Sequence, residues 1–102
     1  MKFKKYLEQA EKTAVFDKST GHAYLAMGLA GESGEVLEHF KKSIRNGFRD
    51  GRADLDPARL NDVMDELGDV IWYWVVLVQQ LGLKPEDIFQ HNIDKLTERY
   101  KK

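Results

Sequence analysis

Cysteine is absent from this 102-residue chain, so no disulfide and no thiolate metal site holds the fold together, and no thiol is available as a nucleophile. Any catalyst must use oxygen or nitrogen. An excess of either charge is missing too: sixteen Lys and Arg stand against seventeen Asp and Glu, a formal net charge of -1. That removes bulk positive charge as an argument for nucleic-acid binding. Long hydrophobic runs are also lacking, because the longest, Val70 to Val78, falls far short of the roughly 20 residues needed to span a bilayer. The opening MKFKKYLEQAEKTAVF is interrupted by Glu8 and Glu11 and has neither the apolar stretch nor the cleavage site of a signal peptide. The expected location is the cytoplasm, with no membrane partner.

What is present suits a folded domain. Apolar residues make up 42% and charged residues 32%, enough for a core and a solvated surface. A chain this short is expected to be one domain over residues 1–102. Its two prolines and its glycines divide it into four helices. The first is expected over Phe3 to Phe16, from Phe3, Leu7, Ala10 and Ala14 at helical spacing. The second runs from about Thr20 to Ile44, with Leu25, Leu29, Val36 and Phe40 as its apolar stripe; Gly28, Gly31 and Gly34 each weaken it by roughly 1 kcal/mol. NGFRDGRADLD, Asn46 to Asp56, reads as a loop. Asp56 and Pro57 then form an N-cap and first helical residue for a third helix reaching Leu81 and stopping at Gly82. A fourth opens at Pro85, carries Glu86 and Asp87 in its first turn, and ends in basic residues.

The run VIWYWVVLV makes the third helix apolar almost all round, and a small domain has few ways to cover every side of a helix. Completion of the bundle by a second copy is expected.

Carboxylates interrupt both long apolar stripes. Glu32 is bracketed by Leu25, Leu29 and Val36, with Glu35 one turn on; Glu66 is flanked by Val63, Val70, Tyr73 and Leu77, with Asp69 one turn on. Like charges on a partly apolar face repel unless a cation lies between them. With the helices side by side, Glu32, Glu35, Glu66 and Asp69 converge into an all-oxygen cage suited to Mg²⁺ or Mn²⁺. The competing description is two solvated helix edges. A di-iron bundle would need Glu followed three positions later by His, and none occurs. His39, four residues after Glu35, is either a partner behind the carboxylates or a satisfied core histidine; His22 and His91 have weaker claims.

The segments GLAGESGEVLEHFKK, DELGDVIWYWVVLVQQLGL and NIDKLTERY together closely resemble the MazG-like nucleotide pyrophosphohydrolases, an all-α NTP pyrophosphatase group, over roughly Ala23 to Tyr100. The resemblance implies a four- to five-helix MazG-like bundle, completed as a homodimer or a dimer-of-dimers tetramer. Its metal signature, ExxE followed on the next long helix by ExxD, matches Glu32, Glu35, Glu66 and Asp69. It further implies Mg²⁺-dependent hydrolysis of (deoxy)nucleoside triphosphates between the α and β phosphates, to monophosphate and pyrophosphate, with Mn²⁺ as a substitute ion and nucleotide-pool cleansing as a role. Glu35, with Glu32 beside it, is the expected catalytic pair, Glu35 as general base.

Asn92, Lys95 and Arg99, on one face of the last helix, match the family's NxxKLxxR pattern and are expected to meet the polyphosphate, with Lys42 and Arg45 as further candidates. The alternative for Lys95 and Arg99 is solvation of a helix terminus; Lys41 reads as plain surface. Trp72, Tyr73 and Trp74 cannot all point one way, so packing is the expected role of each Trp. Phe48, Arg49 and Arg52 are placed in the loop, to close over a nucleotide or simply to be solvated. Competing functions are hydrolysis of another pyrophosphate-linked nucleotide, such as phosphoribosyl-ATP or an alarmone, a pyrimidine-selective deoxynucleotidase, and a non-catalytic helical dimer binding nucleotide or protein. KKSIRNGFRDGR is too short a basic stretch to argue for nucleic acid.

Overall fold

The computed structural model of the protein describes residues 1–47 and 55–101. It is an all-α four-helix bundle: α1 spans Phe3–Lys12, α2 Ala23–Arg45, α3 Leu60–Gln80 and α4 Pro85–Arg99. Short 3₁₀ turns at Lys18–Thr20 and Pro57–Arg59 lead into α2 and α3. Among the described residues, no helix is long and apolar enough to cross a membrane.

Each helix ends for a local reason. α1 stops earlier than its apolar spacing predicts, because the Thr13 hydroxyl donates to the Ala10 carbonyl at 2.9 Å and the chain turns there. Phe16 then leaves the helical path to stack on Tyr24, 5.7 Å between ring centres. The start of α2 is likewise later than expected. Asp17 accepts from the Ser19 amide at 2.9 Å and holds a 3₁₀ turn, and Gly21 at φ 66° redirects the chain.

Asp56 caps the next turn as its sequence signal predicts, accepting from the Ala58 amide at 2.9 Å. Pro57 opens a 3₁₀ turn, with the α-helix proper starting at Leu60. At the far end of α3, the Leu83 amide reaches the Val78 carbonyl and that of Gly82 reaches Gln79. This is the Schellman arrangement, with Gly82 in its left-handed position at φ 75°.

The pairings of Gly28 with Tyr73, His39 with Glu66 and Ser43 with Asp56 run in opposite senses along the chain, so α2 and α3 lie antiparallel. Their interface buries Leu25, Val75 and Val76, and Ala10 of α1 joins the same core. Glycines do not break α2; one of them is required. A Cβ at Gly28 would overlap the Tyr73 ring. Two tertiary hydrogen bonds fasten α1 to α3, from Trp72 Nε1 to Thr13 Oγ1 at 2.7 Å and from Gln79 Nε2 to the Leu7 carbonyl at 3.0 Å. α4 is the peripheral member. It docks through Phe89, stacked on Trp74 and tilted against Phe3, and through buried Pro85.

The bundle leaves much apolar surface outside. Leu60, Met64, Leu67 and Ile71 follow one another on a single face of α3 and are all exposed, as is Ile93 of α4. The accessible surface is 7879 Å², against about 5,900 Å² for a compact monomer of this mass. The radius of gyration, 16.7 Å, likewise exceeds the roughly 13 Å of a compact chain of this length.

Candidate functional site

Antiparallel packing of α2 on α3 brings acids from the two helices face to face. Carboxylate oxygens of Glu32, Glu66 and Asp69 all lie within 4.8 Å of one another. Glu66 and Asp69 share a face of α3 because they are one turn apart, and Glu32 meets them from the edge of α2's apolar stripe. Glu32 and Glu66 are half-buried; Asp69 is exposed.

The cluster is electrostatically strained. Loss of solvation pushes the Glu32 carboxyl above its ordinary range, and the charge of Asp69, hydrogen bonding with Glu66, and the charges of Glu66 and Glu35 push it further the same way. Burial first, then Asp69, raises the Tyr6 phenol. Burial also raises Tyr73, followed by its hydrogen bond with Tyr24 and the charges of Tyr24, Glu32 and Asp69. Two phenols thus feel the charge of the acids, and the Tyr73 ring lies in the space that a Cβ at Gly28 would fill.

Such a donor set fits a hard divalent cation. All three groups are oxygen donors within 4.8 Å of one another, the hard ligands that Mg²⁺ and Mn²⁺ take. Their mutual repulsion is what an intervening cation would remove.

Glu35 stands outside this trio. It is exposed but near enough for its charge to raise Glu32. Lys42 and Arg45 occupy the last turn of α2, where cations favour the helix dipole. Asn92, Lys95 and Arg99 are exposed on α4, and among the described residues none of them pairs with the acids. Lys41 is exposed and pairs with Glu38 at 3.8 Å, a surface role as expected. Trp72 and Trp74 are committed to Thr13 and Phe89. Phe48, Arg49 and Arg52 lie outside the described residues.

His39 is half-buried and faces the site, whereas His22 and His91 are exposed. Sequence reasoning missed Tyr6, Tyr24 and Arg59 as neighbours of the site. Tyr73 was legible, four residues after Asp69 and therefore on the same face of α3; Arg59 carries no periodic signal linking it to His39.

The chain also matches known proteins. The description that matches residues 20–102 is "MazG nucleotide pyrophosphohydrolase domain". The chain is also 35% identical over 100 residues to the Gene 37 protein of Mycobacterium phage L5, covering 92% of this chain and 84% of that one. No solved structure matches.

Proposed function

The chain belongs to the MazG nucleotide pyrophosphohydrolase family, and we propose that it hydrolyses (deoxy)nucleoside triphosphates at the α–β phosphoanhydride, as one domain over residues 1–102. The observation that carries this reading is the convergence of Glu32, Glu66 and Asp69 from two helices. We assign these three as the residues that hold Mg²⁺, or Mn²⁺ in its place, and Glu35, the fourth acid of the signature, as the base beside them rather than a further ligand. A divalent ion there would neutralise polyphosphate charge and lower the pKa of water.

The rest follows from the chain's own groups. Glu35, exposed beside the trio, takes the proton from the attacking water as general base, with Glu32 as its catalytic partner. Water adds across the α–β bridge, the bridging P–O bond breaks, and monophosphate and pyrophosphate leave. Lys95, Arg99 and Asn92, together with Lys42 and Arg45, supply donors to the phosphate oxygens. The exposed α3 face and the excess surface support completion of the bundle by a second copy, as a homodimer or a dimer-of-dimers tetramer. Such pairing would cover Leu60, Met64, Leu67 and Ile71.

The test is a panel of canonical and modified NTPs and dNTPs, phosphoribosyl-ATP and an alarmone, each with Mg²⁺, Mn²⁺ or EDTA, the products being separated by chromatography. Turnover of triphosphates to monophosphates supports the reading. Turnover confined to phosphoribosyl-ATP or the alarmone redirects it to those substrates, and binding without turnover makes the domain a nucleotide sensor.

A further inference from the structure

His39 sits between a cation and an acid of the site. The Arg59 Nη1 lies 3.3 Å from its Nδ1, and Nε2, on the other side of the ring, lies 4.0 Å from Glu66 Oε1. A guanidinium has donors only, so Nδ1 accepts from Arg59. The proton of the neutral imidazole therefore belongs to Nε2, the atom that faces Glu66.

Both ends of this relay are anchored. Ser43, fully buried, donates its hydroxyl to the His39 carbonyl at 2.8 Å and accepts the Asp56 amide at 3.0 Å. The Asp56 carbonyl in turn accepts from the Arg59 amide at 2.8 Å. One side chain thus braces the backbone of His39 and the turn that presents Arg59. The His39 and Glu66 side chains are only 16% and 22% exposed, so water competes weakly for the contact.

We propose that His39 is a positioning residue for Glu66: with its tautomer set by Arg59, it directs an Nε2–H donor at Oε1 and so orients the carboxylate toward Glu32 and Asp69. A small rotation closes 4.0 Å to hydrogen-bond distance. A neutral donor suits this task because it restrains a carboxylate without cancelling the charge a cation needs; a lysine there would compete with the ion. Outer partners of this kind typically carry 10–100-fold of metal affinity. The inference rests on the reading of Glu32, Glu66 and Asp69 as metal ligands.

The experiment is Mn²⁺ titration of the full chain, followed by electron paramagnetic resonance, for wild type, Asp69→Asn, Glu66→Gln, His39→Leu and His39→Gln. Asp69→Asn and Glu66→Gln test the ligand reading by themselves; unchanged affinity in both overturns that reading. With those two weakened, His39→Leu is expected to bind Mn²⁺ roughly tenfold or more weakly, and His39→Gln, which keeps a side-chain N–H, to recover most of the loss. Wild-type affinity in His39→Leu, or no recovery with Gln, overturns the role of His39 alone. Because Leu at this position can also unfold the chain, ¹⁵N spectra of the imidazole in wild type supply a second readout. They are expected to show the Nε2–H tautomer and a shift on adding Mg²⁺ that Glu66→Gln abolishes; an Nδ1–H tautomer contradicts the proposal.

Discussion

The ring of Tyr73 occupies the space that a side chain at Gly28 would fill. This contact sets how closely α2 approaches α3 one turn from Glu32, and with it the separation of the acids on the two helices. Gly28→Ala therefore carries two opposed effects: better helix propensity by about 1 kcal/mol, and overpacking that costs about 1–3 kcal/mol. A net loss of stability is expected in denaturant unfolding. Gly31 has open space around its Cβ position, so Gly31→Ala is expected to stabilise by about 0.5–1 kcal/mol.

Glu32 predicts a pH dependence with a definite sign. Its folded-state pKa is raised, so its effect is absent at acid pH, where both states are protonated. It destabilises the fold as pH rises from the ordinary carboxylate range through the raised value. Metal-free Glu32→Gln should therefore melt higher than wild type at neutral pH, with the difference vanishing in acid. Mg²⁺ should raise the Tm of wild type more at neutral than at mildly acidic pH, and that of Glu32→Gln little at either. Thermal denaturation with and without the ion reads both effects.

Ser43 is the only buried polar side chain among the described residues, and it bridges α2 to the turn before α3. Ser43→Ala leaves the Asp56 amide without its partner, an expected loss of about 1–3 kcal/mol in urea unfolding. For comparison, Leu25→Ala, in the apolar core at 0% exposure, should cost about 2–5 kcal/mol.

The proposed division of labour separates in steady-state kinetics. Glu35→Gln, removing the base, should lower kcat by roughly 10²–10⁴-fold with little change in KM. Lys95→Met and Arg99→Met, removing phosphate donors, should chiefly raise KM.

The two long helices and their acids were legible because α2 and α3 carry continuous stripes, and a carboxylate within a stripe is visible by projection. Leu25 is fully buried where its stripe places it, and Asp56 caps where Pro57 signals a start. Glu35 shows where projection stops. Three residues advance a helix by about 300° at 3.6 residues per turn, so Glu32 and Glu35 diverge by about 60°, and only the packing of α3 decides which of them faces Glu66. The early end of α1 depends on Thr13 and on Phe16 finding Tyr24, partners that helical spacing does not encode. Arg59 meets His39 across twenty positions, through a turn braced by Ser43, and no periodicity announces such a contact.

The most direct test of the central claim follows one nucleoside triphosphate by ³¹P NMR with wild type and Asp69→Asn, in Mg²⁺ and in EDTA. The account predicts monophosphate and pyrophosphate in equal amounts from wild type with Mg²⁺, and no turnover in EDTA or with Asp69→Asn. Diphosphate with free phosphate, or pyrophosphate release that persists in EDTA, would contradict it.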